Sequence, residues 1–169
     1  MRGWLVDTNV VSELRKPNAE RRVTRFVDAQ PAETLFTSEI TFAEIRFGIA
    51  KNHANTALQA TIQSWLDDTL RPFFAERVLG ITEHTLFDWR VKVEQGRTRG
   101  YTFPQPDLFI AVLAERHDLV VVSRDVTPFK EAGVAVFNPW KDRYTTSAGI
   151  EHDTSRMRVT TLLPRLSRL

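Results

Sequence analysis

Apolar residues along this chain fall into short runs and helical stripes that take turns. Trp4-Leu5-Val6 reads as a first strand, and Val10, Val11 and Leu14 mark a short helix over Val10–Arg15, broken by Pro17 and Asn18. Val23, Phe26 and Val27 share one face of a helix over Arg21–Ala29, which Pro31 ends. Leu35-Phe36-Thr37 predicts a second strand. A helix through Phe42, Ile45 and Ile49 follows, with Gly48 tolerated at some cost in propensity. Leu58, Ile62, Trp65, Leu66 and Leu70 recur at helical spacing, so an amphipathic helix is expected over Asn55–Leu70, closed by Pro72.

The second half keeps the rhythm. Val78–Ile81 predicts a short edge strand, and Thr82 starts a helix with Leu86, Trp89 and Val93 turned inward. Gly96, Gly100 and Pro104 predict a loop over Gln95–Gln105, and a helix over Asp107–Arg116 comes next. Leu119–Val122 is an uninterrupted aliphatic run of the kind buried on both faces of a parallel sheet. Gly133 precedes a last strand, Val134–Phe137, ended by Asn138-Pro139. Strands alternating with helices predict an α/β fold built on a parallel sheet. From Lys141 the texture changes. Ser, Thr and Arg abound and the periodicity fades, although Met157–Leu163 has the makings of a strand or a helix. Residues 141–169 are therefore read as a C-terminal tail without an assigned role. An adaptable arm, a partner-packing segment and sequence foreign to the protein all stay open.

Composition narrows the class. With 169 residues the chain suits one domain, and an apolar fraction of 42% with 26% charged residues is that of an ordinary soluble protein. No cysteine is present, which excludes disulfides and thiolate metal sites and suits a reducing cytoplasm. The apolar run before Asp7 is too short for a signal-peptide core, and Leu119–Val122 is far too short to span a membrane. A cytoplasmic location is expected. The net charge of +2 is uneven: the tail holds six basic and three acidic side chains, leaving residues 1–140 at −1. The high isoelectric point thus belongs partly to the tail. Arginine outnumbers lysine, which suits bidentate phosphate contacts but equally reflects codon composition.

Four carboxylates carry the candidate chemistry. Asp7 follows the first strand, Glu44 lies in the helix after the second, Asp107 opens a helix, and Asp125 comes just after Leu119–Val122. Each has a plainer explanation: an N-cap at Asp7, a Thr41–Glu44 capping box, a favourable first-turn acid at Asp107, a turn residue at Asp125. In a parallel sheet, however, these points lie along the carboxyl edge, where ligands bind. Four clustered carboxylates resist joint ionisation, and a hard divalent cation such as Mg²⁺ or Mn²⁺ relieves that conflict. Such ions activate water and stabilise charge on a phosphate undergoing displacement, so the chemistry implied is phosphodiester hydrolysis.

The quoted residues resemble the PIN-domain ribonucleases, specifically VapC-type toxins of bacterial toxin–antitoxin pairs and their FitB-like relatives. The matching pieces are Leu5–Val10, Ile40–Ile49, Pro106–Ala111, Val122–Asp125 and the ending Gly133…Asn138-Pro139-Trp140, in order across residues 1–140. The resemblance implies a PIN-like fold with a five-stranded parallel sheet flanked by helices, Mg²⁺-dependent RNA cleavage (Mn²⁺ an alternative), and a homodimer. It also implies a VapB-like antitoxin partner, with DNA contacted only through that antitoxin. Carried over by position, Asp7, Glu44 and Asp107 match the family's metal-site acids, and Asp125 stands where the motif has Asn or Asp. Ser123 stands where Thr is usual and would orient a ligand or water, with Asn9 in a similar supporting role. Pro128 occupies a position that is acidic in many relatives, so Asp125 is expected to complete the site. The tail after Trp140 has no counterpart in that pattern.

Arg90, Lys92, Arg97 and Arg99 precede Asp107 and form either a solvated face or a hold on RNA phosphates. His53, His84, His117 and His152 lack metal-ligand spacing, and Trp65 and Trp89 read as core. Two other readings compete. A haloacid-dehalogenase-like phosphohydrolase needs a second Asp two residues after Asp7, where this chain has Asn9. A catalytically silent PIN-like binding module would not need the intact acid set.

Overall fold

The computed structural model describes residues 1–51 and 55–166; His53 lies outside them. In chain order the strands are β1 (Gly3–Val6), β2 (Leu35–Ser38), β3 (Val78–Leu79), β4 (Leu119–Val122), β5 (Val136–Asn138), β6 (Arg143–Thr145) and β7 (Glu151–Asp153). The helices are α1 (Thr8–Leu14), α2 (Arg21–Asp28), α3 (Glu39–Lys51), α4 (Thr56–Trp65), α5 (Arg71–Phe74), α6 (Glu83–Thr98), α7 (Gln105–Arg116), α8 (Thr127–Glu131) and α9 (Leu162–Leu166). The described strands form one sheet in the order β3-β2-β1-β4-β5-β6-β7. The first five are parallel and the last two antiparallel.

β1 and β4 are central and wholly buried, paired from Gly3↔Leu119 to Val6↔Val122. Successive side chains on each strand point to opposite faces. Trp4 and Val6 therefore join one core with α1, α2, α4 and α5, while Leu5 and Val121 join another with α7 and α8. Trp4 anchors the first. Its ring packs edge-on to Phe26 at 5.0 Å, and its indole N–H donates to the Gln30 side chain at 3.1 Å. The indole is buried without leaving its one donor unpaired.

The five-strand expectation holds for the parallel part and fails for the sheet as a whole. Residues of the tail add β6 and β7 beyond β5, which runs one residue further than Phe137. The Asn138 side chain accepts the backbone N–H groups of Trp140 (3.0 Å) and Lys141 (3.3 Å), and Asp142 takes a positive φ of 50°. Together these reverse the chain into β6, where Tyr144 is buried. The tail then returns across the first core. Leu162 and Leu166 of α9 are buried there, and the Val159 carbonyl accepts from the Gln30 amide at 3.2 Å.

Three local expectations are corrected. Pro72 does not close its helix: a wide turn over Leu66–Leu70 shifts the hydrogen-bond register, Arg71 N–H reaching Leu66 C=O, and α5 continues to Phe74. A proline in the first turn of such a segment has no N–H to satisfy. The loop expected from Gln95 is helix as far as Thr98. Gly96 serves contact rather than flexibility, since a Cβ there would lie 2.7 Å from both the Phe103 ring and the Tyr101 carbonyl. Leu86 faces solvent, because the inward stripe of α6 runs through the buried Thr85 and Gly96.

Candidate active site

Asp7 leaves β1 at its carboxyl end. Its backbone N–H is still paired to the Val122 carbonyl (3.0 Å), so its position is fixed by the centre of the sheet. It is the N-cap of α1, its Oδ1 accepting Thr8 N–H at 2.7 Å. The capping explanation is correct but incomplete. Oδ2 accepts from the Asn9 amide (2.7 Å) and from the Ser123 hydroxyl (2.6 Å). Asn9 also donates to Ser123 Oγ and accepts the Arg124 N–H, tying the start of α1 to the loop after β4. Ser123 Oγ further accepts Asp125 N–H at 3.1 Å, so one buried hydroxyl orients Asp7 and the Asp125 backbone together.

Glu44 is not part of a capping box. Ser38 caps α3, its hydroxyl accepting Thr41 N–H at 3.2 Å. The Glu44 carboxylate instead accepts the Thr8 hydroxyl, which binds α3 to the residue after Asp7. Nothing in the sequence marked Thr8 beyond its adjacency to Asp7. Asp107 stands in the first turn of α7, half-buried, and Asp125 is exposed beyond β4.

These acids are close enough to feel one another's charge. Asp7, only 4% exposed, has its carboxyl pushed up to about 6, chiefly by burial. Hydrogen bonds from Ser123 and Thr8 pull the other way, and the charges of Glu44 and Asp125 add to the rise. Asp107 is pushed up to about 6 by burial and by the charges of Asp7, Asp125 and Glu44. Tyr101, from the loop before α7, has its phenol raised by burial and by Glu131, Asp125 and Asp107. It therefore borders the acids, a placement its sequence context gave no hint of. Among the described residues, no three His, Asp or Glu side chains converge closely enough to hold a metal ion by themselves. The donor set is nonetheless all hard oxygen, and its mutual repulsion is what a hydrated divalent cation would relieve.

Most of the basic residues ahead of Asp107 are locally engaged. Lys92 donates to the Ala132 carbonyl and pairs with Glu115. Arg97 pairs with Glu94, and Arg99 donates to the Gln95 and Glu131 carbonyls. Arg90 is exposed on α6. Trp89 stacks on Phe109 at 5.1 Å and 7°. A cavity of about 560 Å³ is lined by none of the four acids and is mostly apolar, with Val27, Leu35, Trp65, Leu70, Phe73 and Phe74 among its lining. A smaller one of about 220 Å³ shares Trp65 with it and reaches Thr8 and Glu44.

A family model described as "PIN domain" matches residues 4–134. The chain is 37% identical over 137 residues to VapC ribonuclease Y4jK of Sinorhizobium fredii, covering 81% of this chain and 97% of that one. It is 36% identical over 138 residues to Toxin FitB of Neisseria gonorrhoeae, covering 82% and 99%. The crystal structure of FitAcB from Neisseria gonorrhoeae superposes with a TM-score of 0.75 at 35% identity, over 81% of this chain and 98% of that one. The relatives are thus matched almost end to end, while about a fifth of this chain has no counterpart in them. Strand order, the acid-lined carboxyl edge and these matches agree: the chain belongs to the PIN domain family.

Proposed function

We propose that this chain is a metal-dependent ribonuclease acting as the toxin of a toxin–antitoxin pair. The observation that carries this reading is the set of four acids at the carboxyl edge of the sheet, where burial and the charges of the neighbouring acids raise the carboxyls of Asp7 and Asp107. Naming of the relatives as a VapC ribonuclease and a toxin supports it. Asp7, Glu44, Asp107 and Asp125 would hold Mg²⁺ or Mn²⁺ between them, with water filling the remaining positions. When bound, the ion supplies charge stabilisation at the phosphate and a more acidic water. Ser123 and Asn9 keep Asp7 oriented, Thr8 keeps Glu44 oriented, and the buried setting of Asp7 excludes competing solvent.

The partner follows from the same surface. An antitoxin segment with apolar side chains would occupy the cleft beside Trp65 and continue through the smaller cavity to Thr8 and Glu44. There a guanidinium would pair with the carboxylates. DNA would be contacted by the antitoxin alone, and the toxin would act as a homodimer.

The test uses purified protein and labelled RNA. Cleavage should occur with Mg²⁺ or Mn²⁺, stop on chelation and return when the metal is restored. Expression without a partner should arrest growth. RNA left intact under every metal condition would defeat the reading, leaving a catalytically silent binding module.

A further inference from the structure

Beyond Asp125 the sheet edge carries a further pocket, of about 310 Å³, with a different character. Arg124, Thr127, Lys141 and Arg143 line it together with Asp125 and Glu151. Asp125 is therefore the wall between the acid cluster and a basic recess. Two of the three cations, Lys141 and Arg143, come from the segment that follows the 4–134 family match. Their placement depends on Asn138. Its amide donates to the Arg124 carbonyl at 2.9 Å and its Oδ1 accepts Lys141 N–H, so the loop after β4 and the start of the tail are fixed to one another. Pairing of Asn138 with Arg143 across β5 and β6 brings in the third cation.

The cations differ in how far they are committed. Arg143 pairs with Asp153 at 3.0 Å and lies 3.8 Å from Glu151. The Arg124 guanidinium sits over the Trp140 ring at 5.6 Å, which leaves its edge for another partner. Lys141 is exposed and forms no ion pair among the described residues. A groove with carboxylates on one side and basic groups on the other suits a strand that presents phosphates in series. The phosphate under attack lies at the acids, and its neighbour needs a cation.

We propose that Arg124, Lys141 and Arg143 form a subsite for the RNA phosphate adjacent to the one at the acid cluster, and that β6 and β7 exist in this chain to build it. This rests on the ribonuclease reading. Phosphate contacts of this kind position a strand without selecting its sequence. The tail should therefore lower the concentration of RNA needed for cleavage and leave the chemical step alone.

The experiment has a binding arm and a cleavage arm, both on the full chain. Binding of a labelled single-stranded RNA is followed against KCl concentration in an Asp7→Asn background. Each lost phosphate contact should flatten the log–log salt slope by roughly 0.7. Lys141→Gln and Arg124→Gln should each show that change, and Lys141→Arg should restore the parent slope. In the otherwise wild-type enzyme the two Gln variants should raise KM while kcat holds. Lys141→Glu, exposed and with an unchanged melting temperature expected, should weaken binding further. If the wild type cleaves but the variants keep its KM and salt slope, the subsite is refuted and the ribonuclease reading stands. If the wild type neither binds nor cleaves RNA, both fall together.

Discussion

Asp7→Asn should stabilise the metal-free protein at neutral pH and weaken it in acid. The Asp7 carboxyl titrates at about 6 in the folded chain against 3.8 unfolded. A raised carboxyl means that the folded state binds more protons between those values, so stability falls as pH rises through the window. At about 1.4 kcal/mol per pH unit, the ionised Asp7 costs the fold about 3 kcal/mol above pH 6, and nothing well below 4. The amide removes that cost at nearly constant volume. Its oxygen can still accept from Asn9 and Ser123, but its NH₂ then meets Thr8 N–H, forfeiting one hydrogen bond worth about 1 kcal/mol. The net expectation is a gain of about 2 kcal/mol near pH 8 and a loss of about 1 kcal/mol below pH 4. Urea unfolding in EDTA at both pH values measures it. Saturating Mg²⁺ at a hundredfold excess over its dissociation constant should then raise wild-type stability by about 2.7 kcal/mol and leave the variant unmoved. An Asp7→Asn effect that is the same at both pH values would refute the reasoning, because it would mean that Asp7 carries no ionisation cost.

Other outcomes follow from the same structure. Asp125→Asn should weaken metal affinity and cleavage less than Asp7→Asn does, since Asp125 is exposed and its backbone stays anchored to Ser123; metal titration of both variants decides, and an unchanged affinity would remove Asp125 from the site. Gly96→Ala should cost about 1–3 kcal/mol by driving a methyl into the Phe103 ring and the Tyr101 carbonyl. Its melting curve tests whether α6 and the loop before α7 are locked together. Leu162→Ala should cost about 2–5 kcal/mol, given that the side chain is 2% exposed in the first core; a change within a few tenths of a kcal/mol would mean that the tail does not pack on the sheet.

How legible these features were depended on the range of the interactions involved. The parallel sheet was plain from the sequence because β1 and β4 are buried on both faces and so read as unbroken apolar runs. The acids were legible because parallel strands put their carboxyl ends on one edge, and the order of the motifs resembled a known family. Contacts between distant segments were not. Thr8 holds Glu44 from 36 residues away, and Ser123 reaches Asp7 across 116. The helical course of α6 through Gly96 depends on close approach of the loop before α7, which glycine content alone reads as a break. β6 and β7 are three residues each, too short for alternation to register, and their pairing depends on the Asn138 turn and on β5 offering an open edge.

The central proposal is that RNA is cut at the acid cluster. Its most direct test is cleavage of one labelled RNA by wild type and Asp7→Asn side by side, in Mg²⁺ and in EDTA, with unfolding curves confirming that both are folded. The expected result is cleavage by the wild type in Mg²⁺ alone and none by Asp7→Asn in either condition. Wild-type rates from folded Asp7→Asn, or cleavage that survives EDTA, would contradict it.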